Sequence, residues 1–130
     1  MNIKLNKPSN IITGKINLPG SKSISNRVLI IKALSGLPFL IQNLSDSDDT
    51  VHLSEALKNY SASSLINVGH AGTDMRFLTA FLSLKNSTYE LTGSERLQQR
   101  PVKDLVEVLQ KLGADIKYKN NIGYPPLLIK

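Results

Sequence analysis

A cluster of hydroxyl and cationic side chains follows a Pro-Gly corner in the stretch "LPGSKSISNR". Ser23 and Arg27 are four residues apart, so they share one face of a helix, and Lys22 adds a second cation beside them. The first turn of a helix leaves backbone N–H groups without partners and carries partial positive charge. Cations there oppose the dipole unless an anion binds, so the cluster favours a carboxylate or phosphate site. The alternative is that Ser21 caps the helix and both cations are solvated.

Two further polar clusters also lie where helices are predicted to begin. In "GHAGTDMR" two glycines allow close approach of backbone N–H groups to a ligand, although the stretch matches neither a P-loop nor a dinucleotide fingerprint. A tight turn explains it equally well, with His70 as a turn residue. In "GSERLQQRP", Arg96 and Arg100 precede a helix, where an anion rather than a cation is expected. Three such clusters together favour one convergent anion site.

The acidic residues suggest no acid/base pair. Asp48 and Asp49 fall in the first turn of a predicted helix, where carboxylates complement the dipole. Asp74 follows the glycine-rich turn without an evident partner. We therefore predict positioning and charge from these clusters, but no proton transfer.

The composition limits the classes of function that fit. The chain has 130 residues, no cysteine and a formal net charge of +6 at pH 7. A basic balance favours anionic partners, but no block of consecutive cations points to a nucleic-acid tail or a membrane anchor. The lack of cysteine excludes disulfides and thiolate metal sites, and it suits a reducing cytoplasm, which we predict as the location. We expect no metal and no cofactor.

Strand and helix patterns alternate along the chain and predict an α/β fold. Helices are predicted at Ser21–Leu34, 45–60, Thr73–Leu84 and 100–114, the last with Pro101 in its first position and Val102, Leu105, Leu109 and Leu112 as its apolar stripe. Strands are predicted at Ile3–Leu5, Gly14–Leu18, 38–44, 64–68, 87–93, 115–119 and 125–130.

The pattern also repeats. "RVLIIKALS" from Arg27 resembles "RFLTAFLS" from Arg76, and "LSEALKNY" from Leu53 resembles "LVEVLQKL" from Leu105. Both pairs are about fifty residues apart, which favours a duplicated unit over chance similarity of amphipathic helices.

"LPGSKSISNR", "GHAGTDMRFLTAFL" and "LTGSERLQQRPVKDLVEVLQKLGADI" resemble the N-terminal third of the 5-enolpyruvylshikimate-3-phosphate (EPSP) synthases. The resemblance implies a two-domain inverted α/β barrel built from repeated βαβαββ units. It implies that residues 1–19 form strands of the first domain and that residues 20–130 are part of the second. The implied activity is transfer of enolpyruvyl from phosphoenolpyruvate to shikimate 3-phosphate, in the shikimate pathway to aromatic amino acids.

The resemblance also implies roles for individual residues. Lys22, Gly72 and Arg100 resemble residues that contact phosphoenolpyruvate. Ser23 and Arg27 resemble the pair that holds the carboxylate of shikimate 3-phosphate.

Thr73 follows Gly72, one of the residues that resemble phosphoenolpyruvate contacts, and His70 occupies the position where the family usually has Asn. The segment between Tyr60 and Val68 is shorter than the family pattern. The family's acid and base residues lie beyond the matched third, so the 130-residue chain is expected to bind small-molecule substrates without catalysis and to lack the C-terminal part of the enzyme. The alternatives are a fragment like UDP-N-acetylglucosamine enolpyruvyl transferase and a non-catalytic anion-binding module.

Overall fold

The computed structural model describes residues 3–4, 6 and 13–130. Within them the chain forms five helices and four strands, in the order α1 (Lys22–Ser35), α2 (Asp48–Asn59), β1 (Leu65–Asn67), α3 (Gly72–Leu82), β2 (Tyr89–Thr92), α4 (Glu95–Gln98), α5 (Lys103–Lys111), β3 (Ile116–Tyr118) and β4 (Leu127–Ile129). None of the helices in this part of the chain has the length and apolar character needed to cross a membrane.

The four strands form one sheet in the order β1-β2-β4-β3. β1 and β2 are parallel, with Ile66 opposite Leu91, and β4 runs antiparallel to both β2 and β3. The parallel pair is connected through α3, as parallel strands require a crossover. From β1 to β4 the elements form one complete βαβαββ unit, in which the short α4 precedes the second long helix.

The core lies between this sheet and the helices. Leu78 and Leu82 of α3 are fully buried in one cluster with Leu91 of β2 and Ile129 of β4. α1 and α2 pack against each other and against α3, and Leu53 of α2 is fully buried in the same cluster. The two halves of the predicted repeat therefore share a single core.

Three predicted strands lie outside this sheet. Gly14–Leu18 and residues 38–44 are not strands, so these two predictions are wrong. Ile3 and Lys4 also lie outside any strand, while Leu5 is outside the described residues. A strand requires hydrogen bonds to a neighbour, and in the described part of the chain no strand lies alongside either segment. Alternation of polar and apolar residues could not supply that neighbour.

The last long helix begins later than its sequence suggests. α5 starts at Lys103 with Val102 as its N-cap, so Pro101 precedes the helix rather than opening it. Its buried face is centred on Val102 and Val106, whereas Leu112 is 79% exposed. The buried face of α5 therefore differs from the predicted apolar stripe, since it includes Val106 and excludes Leu112.

Candidate functional site

An open cavity of ≈ 390 Å³ lies where the three polar clusters meet. Six of the seven predicted site residues line it, namely Lys22, Arg27, His70, Gly72, Thr73 and Arg100. The predicted convergence of helix starts on one place is thus present for these six. Three further lining residues, Asp49, Arg76 and Phe77, were not predicted.

The sheet topology explains why these segments meet. β1 and β2 are parallel, so the loops that follow them leave the same edge of the sheet. The backbone N–H of Ser94, after β2, donates to the carbonyl of Gly69, after β1, at 2.8 Å. This bond joins the two loops and brings Arg100 to the start of α3.

The start of α1 carries no carboxylate of its own. Ser21 is the N-cap residue, but its side chain makes no capping hydrogen bond, and the first turn contains no acidic residue. The alternative in which Ser21 caps the helix is therefore not the observed arrangement. Instead, the ammonium of Lys22 lies 3.0 Å from Asp49 Oδ2. The sequence placed Asp49 in the first turn of a helix, where the structure has it. Its ion pair with Lys22 on a different helix could not be predicted from the sequence.

Arg27 is held along the same helix face as Ser23, as its spacing predicted. Its Nη1 donates to the Ser23 carbonyl at 2.8 Å, and its guanidinium lies 5.7 Å from the centre of the Phe77 ring. The contact to Ser23 is to the backbone, and the Ser23 side chain does not line the cavity. Ser23 is therefore the one predicted site residue that the structure leaves outside.

Gly72 opens α3 directly against Arg100. A Cβ at Gly72 would lie 2.5 Å from Arg100 Nη1 and 2.8 Å from its Cζ, closer than non-bonded atoms approach. The missing side chain thus makes room for the guanidinium. α3 has Ala71 as its N-cap and no side-chain capping bond, so its first N–H groups also face this region.

His70 is oriented by the loop after β2. Its Nδ1 lies 2.8 Å from the hydroxyl of Ser94, which also accepts from the backbone N–H of Leu97 at 3.3 Å. With Nδ1 engaged, Nε2 is the ring nitrogen available to a ligand. His70 and Arg100 also line an adjoining cavity with Arg96 and Leu97.

Arg76 lines the cavity but is committed to the backbone. Its Nη1 donates to the Gly72 carbonyl at 2.9 Å and its Nη2 to the Pro101 carbonyl at 3.0 Å. The sequence repeat could have pointed to Arg76 as a residue of the cavity wall, because it aligns Arg76 with Arg27.

The electrostatics of the cavity favour an anion. Lys22, Arg27, Arg76 and Arg100 line it, against the single carboxylate of Asp49 among the lining residues. Behind them Asp74 is fully buried, and its Oδ1 accepts from Asn26 Nδ2 at 2.8 Å, a partner that the sequence did not make evident. Burial, and then the nearby Asp49, raise the pKa of Asp74 to about 7. Within the ranges 3–4, 6 and 13–130 no cluster of acidic or histidine side chains could hold a metal ion.

The chain is similar to known enzymes over most of its length. The sequence profile of EPSP synthase (3-phosphoshikimate 1-carboxyvinyltransferase) matches residues 6–64 and 59–130. A 3-phosphoshikimate 1-carboxyvinyltransferase of Bacteroides fragilis strain YCH46 is 49% identical over 130 residues, which cover 100% of this chain and 31% of the relative. That of Sulfurovum sp. strain NBC37-1 is 41% identical over 148 aligned positions, with 95% of this chain and 35% of the relative covered.

The two matched ranges of the profile overlap at residues 59–64, from the end of α2 to the start of β1. This overlap falls largely within the segment between Tyr60 and Val68, which is shorter than the family pattern. The alignment with the Bacteroides fragilis relative has 130 positions and covers the whole of this chain, whereas the alignment with the Sulfurovum relative has 148 positions. The chain spans about a third of the length of the curated relatives it matches.

The fold has solved counterparts. A 2.37 Å structure of EPSP synthase from Acinetobacter baumannii superposes with a TM-score of 0.74 at 24% identity, covering 90% of this chain and 32% of that one. The likeness confirms the predicted α/β fold class. With the profile matching both halves of the sequence, the chain belongs to the EPSP synthase family, the 3-phosphoshikimate 1-carboxyvinyltransferases.

Proposed function

We propose that this chain forms part of the substrate site of an enzyme that transfers enolpyruvyl from phosphoenolpyruvate to shikimate 3-phosphate. One observation carries the proposal: Lys22, Arg27 and Arg100 converge with the start of α3 on one open cavity, in a chain that belongs to this family. The family match favours this reading over a UDP-N-acetylglucosamine enolpyruvyl transferase.

The geometry suits phosphate and carboxylate groups. A guanidinium is planar and presents paired donors, so Arg27 and Arg100 can each bind two oxygens of one anionic group. The uncapped N–H groups at Gly72 and Thr73 add backbone donors and the positive end of a helix dipole. Following the family pattern, Arg100, Lys22 and Gly72 take phosphoenolpyruvate, and Arg27 takes the carboxylate of shikimate 3-phosphate. Ser23 keeps its assignment to shikimate 3-phosphate, although reaching that ligand requires its hydroxyl to turn toward the cavity.

The same proposal places the proton transfers outside the 130 residues. Enolpyruvyl transfer requires an acid for the methylene carbon of phosphoenolpyruvate and a base for the attacking hydroxyl. Of the two nearest carboxylates, Asp49 is paired with Lys22 and Asp74 is fully buried. We therefore assign binding and orientation of the substrates to this chain. The acid and the base for proton transfer are assigned to the remaining two-thirds of the family length.

We also assign the chain to parts of the two-domain enzyme. Residues 1–19 belong to the first domain and residues 20–130 to the second. In support, residues 13–19 are exposed, whereas α1 and every later long helix contribute buried side chains to the shared core. The proposed location is the cytoplasm, which localisation of the tagged native protein would test.

The test is a titration of the purified chain with shikimate 3-phosphate, phosphoenolpyruvate or a DNA duplex, at low and high salt. We expect weak binding of the two metabolites that falls with added salt, because exposed cations are screened. Arg100→Ala should weaken it, whereas Lys111→Ala, which removes a cation in the last turn of α5 outside the cavity lining, should not. Preference for duplex DNA over both metabolites would contradict the proposal.

A second measurement separates binding from catalysis. Phosphate release from phosphoenolpyruvate and shikimate 3-phosphate by the 130-residue chain should equal the enzyme-free blank. Turnover that survives repurification and is lost in Arg100→Ala would show that the chain contains its own acid and base.

A further inference from the structure

A buried chain of three polar side chains connects the helices beneath the cavity. The hydroxyl of Thr50 on α2 donates to Asn26 Oδ1 at 2.7 Å, and Asn26 Nδ2 on α1 donates to Asp74 Oδ1 on α3 at 2.8 Å. All three side chains are buried, with at most 2% of each residue exposed. They lie 24 and 48 positions apart in the sequence, so these bonds act between helices rather than within them.

Each member of this network is adjacent in sequence to a residue of the cavity wall. The pairs are Asn26 with Arg27, Thr50 with Asp49, and Asp74 with Thr73. A shift of one helix against another would therefore move a cavity residue by a similar distance. The buried network therefore links the positions of these cavity-wall residues, although none of its members lines the cavity.

The surroundings of Asp74 favour its neutral form. Its Oδ1 accepts one hydrogen bond, whereas its Oδ2 is buried and has no hydrogen-bond partner in the part of the chain that the structure describes. An ionised carboxylate there would be a buried charge with half its acceptor capacity unused. The charged groups that act on it are Asp49 from α2, which repels a second negative charge, and Lys22 from α1, which offsets this in part.

We propose that Asp74 is a positioning residue that, below neutral pH, acts as a neutral acid: it joins α3 to α1 through Asn26 and places no negative charge beneath the anion site. The inference rests on the proposed function only in taking the cavity as an anion site. The proton on Asp74 allows a carboxyl group to hold the network together next to a cavity that must attract phosphate and carboxylate groups.

Two variants separate the neutral acid from a merely structural contact. Asp74→Asn keeps an acceptor for Asn26 and has no charge, so it imitates the protonated acid. Asp74→Leu has a similar size but removes the acceptor, which leaves the buried Asn26 amide without its partner. Asp115→Asn, at an exposed position before β3, is the matched control.

The first readout is the pH dependence of unfolding by urea, which needs no ligand. An unfolded aspartate ionises near pH 3.9, whereas burial raises the pKa of Asp74 to about 7 in the folded chain. Between these values the folded state binds the additional proton, so the stability contributed by this group is complete below about pH 4 and is lost as the pH rises through about 7. Asp74→Asn should remove that slope, and Asp115→Asn should retain it. A profile unchanged by Asp74→Asn would overturn the neutral-acid assignment.

The second readout is the NMR spectrum of the free chain. At pH 6 the backbone amide signals of Arg27 and Thr73 should coincide in the wild type and Asp74→Asn, and should shift in Asp74→Leu. The carboxyl carbon signal of Asp74 should change with pH near neutrality rather than near pH 4. Unshifted amides in a folded Asp74→Leu, or amides in Asp74→Asn displaced as far as in Asp74→Leu, would overturn the positioning role. If Asp74→Leu does not fold, the Asn26 side-chain amide signal in Asp74→Asn decides: coincidence with the wild type supports the role, and loss of its protection overturns it.

The third readout is phosphoenolpyruvate binding, which separates this inference from the proposed function. At pH 6 wild type and Asp74→Asn should bind equally, and at pH 8 Asp74→Asn should bind about two- to fivefold more tightly, the usual scale for a screened charge. Failure of every variant to bind would contradict the proposed function, while the first two readouts would still decide the inference. Equal loss of affinity with pH in the wild type and Asp74→Asn would count against the charge argument.

Discussion

Arg27 and Arg76 occupy equivalent positions in the two halves of the repeat, and both make the same local contact. Each guanidinium donates to the carbonyl four residues earlier, Arg27 to Ser23 at 2.8 Å and Arg76 to Gly72 at 2.9 Å. Beyond that contact they diverge. Arg27 is exposed and lies over the ring of Phe77, whereas Arg76 is half-buried and donates to the carbonyl of Pro101 at 3.0 Å.

The difference shows how one repeated residue acquires two uses. The second bond of Arg76 holds α3 against the segment that leads into α5, so its donors are occupied by the protein. Arg27 keeps donors for a ligand, because its bond to the Ser23 carbonyl is its only hydrogen bond within the described residues. We infer that Arg76 stabilises the cavity wall and that Arg27 binds the anion.

Replacement of the two arginines should therefore lower the stability of the chain by different amounts. Arg76→Ala removes two charge-assisted hydrogen bonds and should lower the free energy of unfolding by about 2–3 kcal/mol. Arg27→Ala, at an exposed position, should lower it by less than about 1 kcal/mol. Urea denaturation of both variants measures this. Equal losses of stability would mean that the two positions are equivalent after all.

Affinity should respond to the cations that face the cavity. Arg100→Ala and Arg27→Ala should each weaken phosphoenolpyruvate or shikimate 3-phosphate binding by roughly 1.5 kcal/mol, the lower end for a charge-assisted hydrogen bond because both side chains are exposed. Titration calorimetry at low salt is the measurement, and Lys111→Ala is the control for net charge. If the control weakens binding as much, the effect is one of total charge and not of the cavity.

A smaller effect is expected at Gly72. A methyl group there would displace the Arg100 guanidinium, the flexible end of a side chain, so Gly72→Ala should weaken anion binding about threefold without unfolding the chain. Gly14→Ala, at a position with open space around it, should change neither property. Unchanged affinity in Gly72→Ala would show that Arg100 binds the anion equally well from its displaced position.

The smallest effect is expected at His70. The imidazole of His70 lines the cavity, and its Nε2 is the ring nitrogen open to a ligand. His70→Ala should therefore weaken phosphoenolpyruvate binding about twofold, the low end for one neutral hydrogen bond at an open site. His70→Asn keeps a hydrogen-bond donor and should bind as the wild type does, and His52→Ala, outside the cavity lining, is the control. Unchanged affinity in His70→Ala would leave His70 as a turn residue.

The amino-acid sequence by itself determined the elements whose causes are local. Helical periodicity located α1, α2 and α3 to within a few residues, and Gly36 ends α1 in the left-handed conformation that glycine favours just past a helix. The polar clusters marked the cavity wall for the same reason, because the backbone donors of a helix start are a property of the first turn.

Contacts between distant residues were decided by the tertiary structure alone. Gly14–Leu18 alternates like a strand but has none beside it in the described part of the chain, and periodicity cannot supply a partner. Asp74 accepts a hydrogen bond from Asn26, 48 residues away, and Arg76 differs from Arg27 in its bond to the Pro101 carbonyl. Burial and pairing depend on which surfaces meet, and these are set by the packing of the helices with one sheet and not by the spacing of residues along the chain.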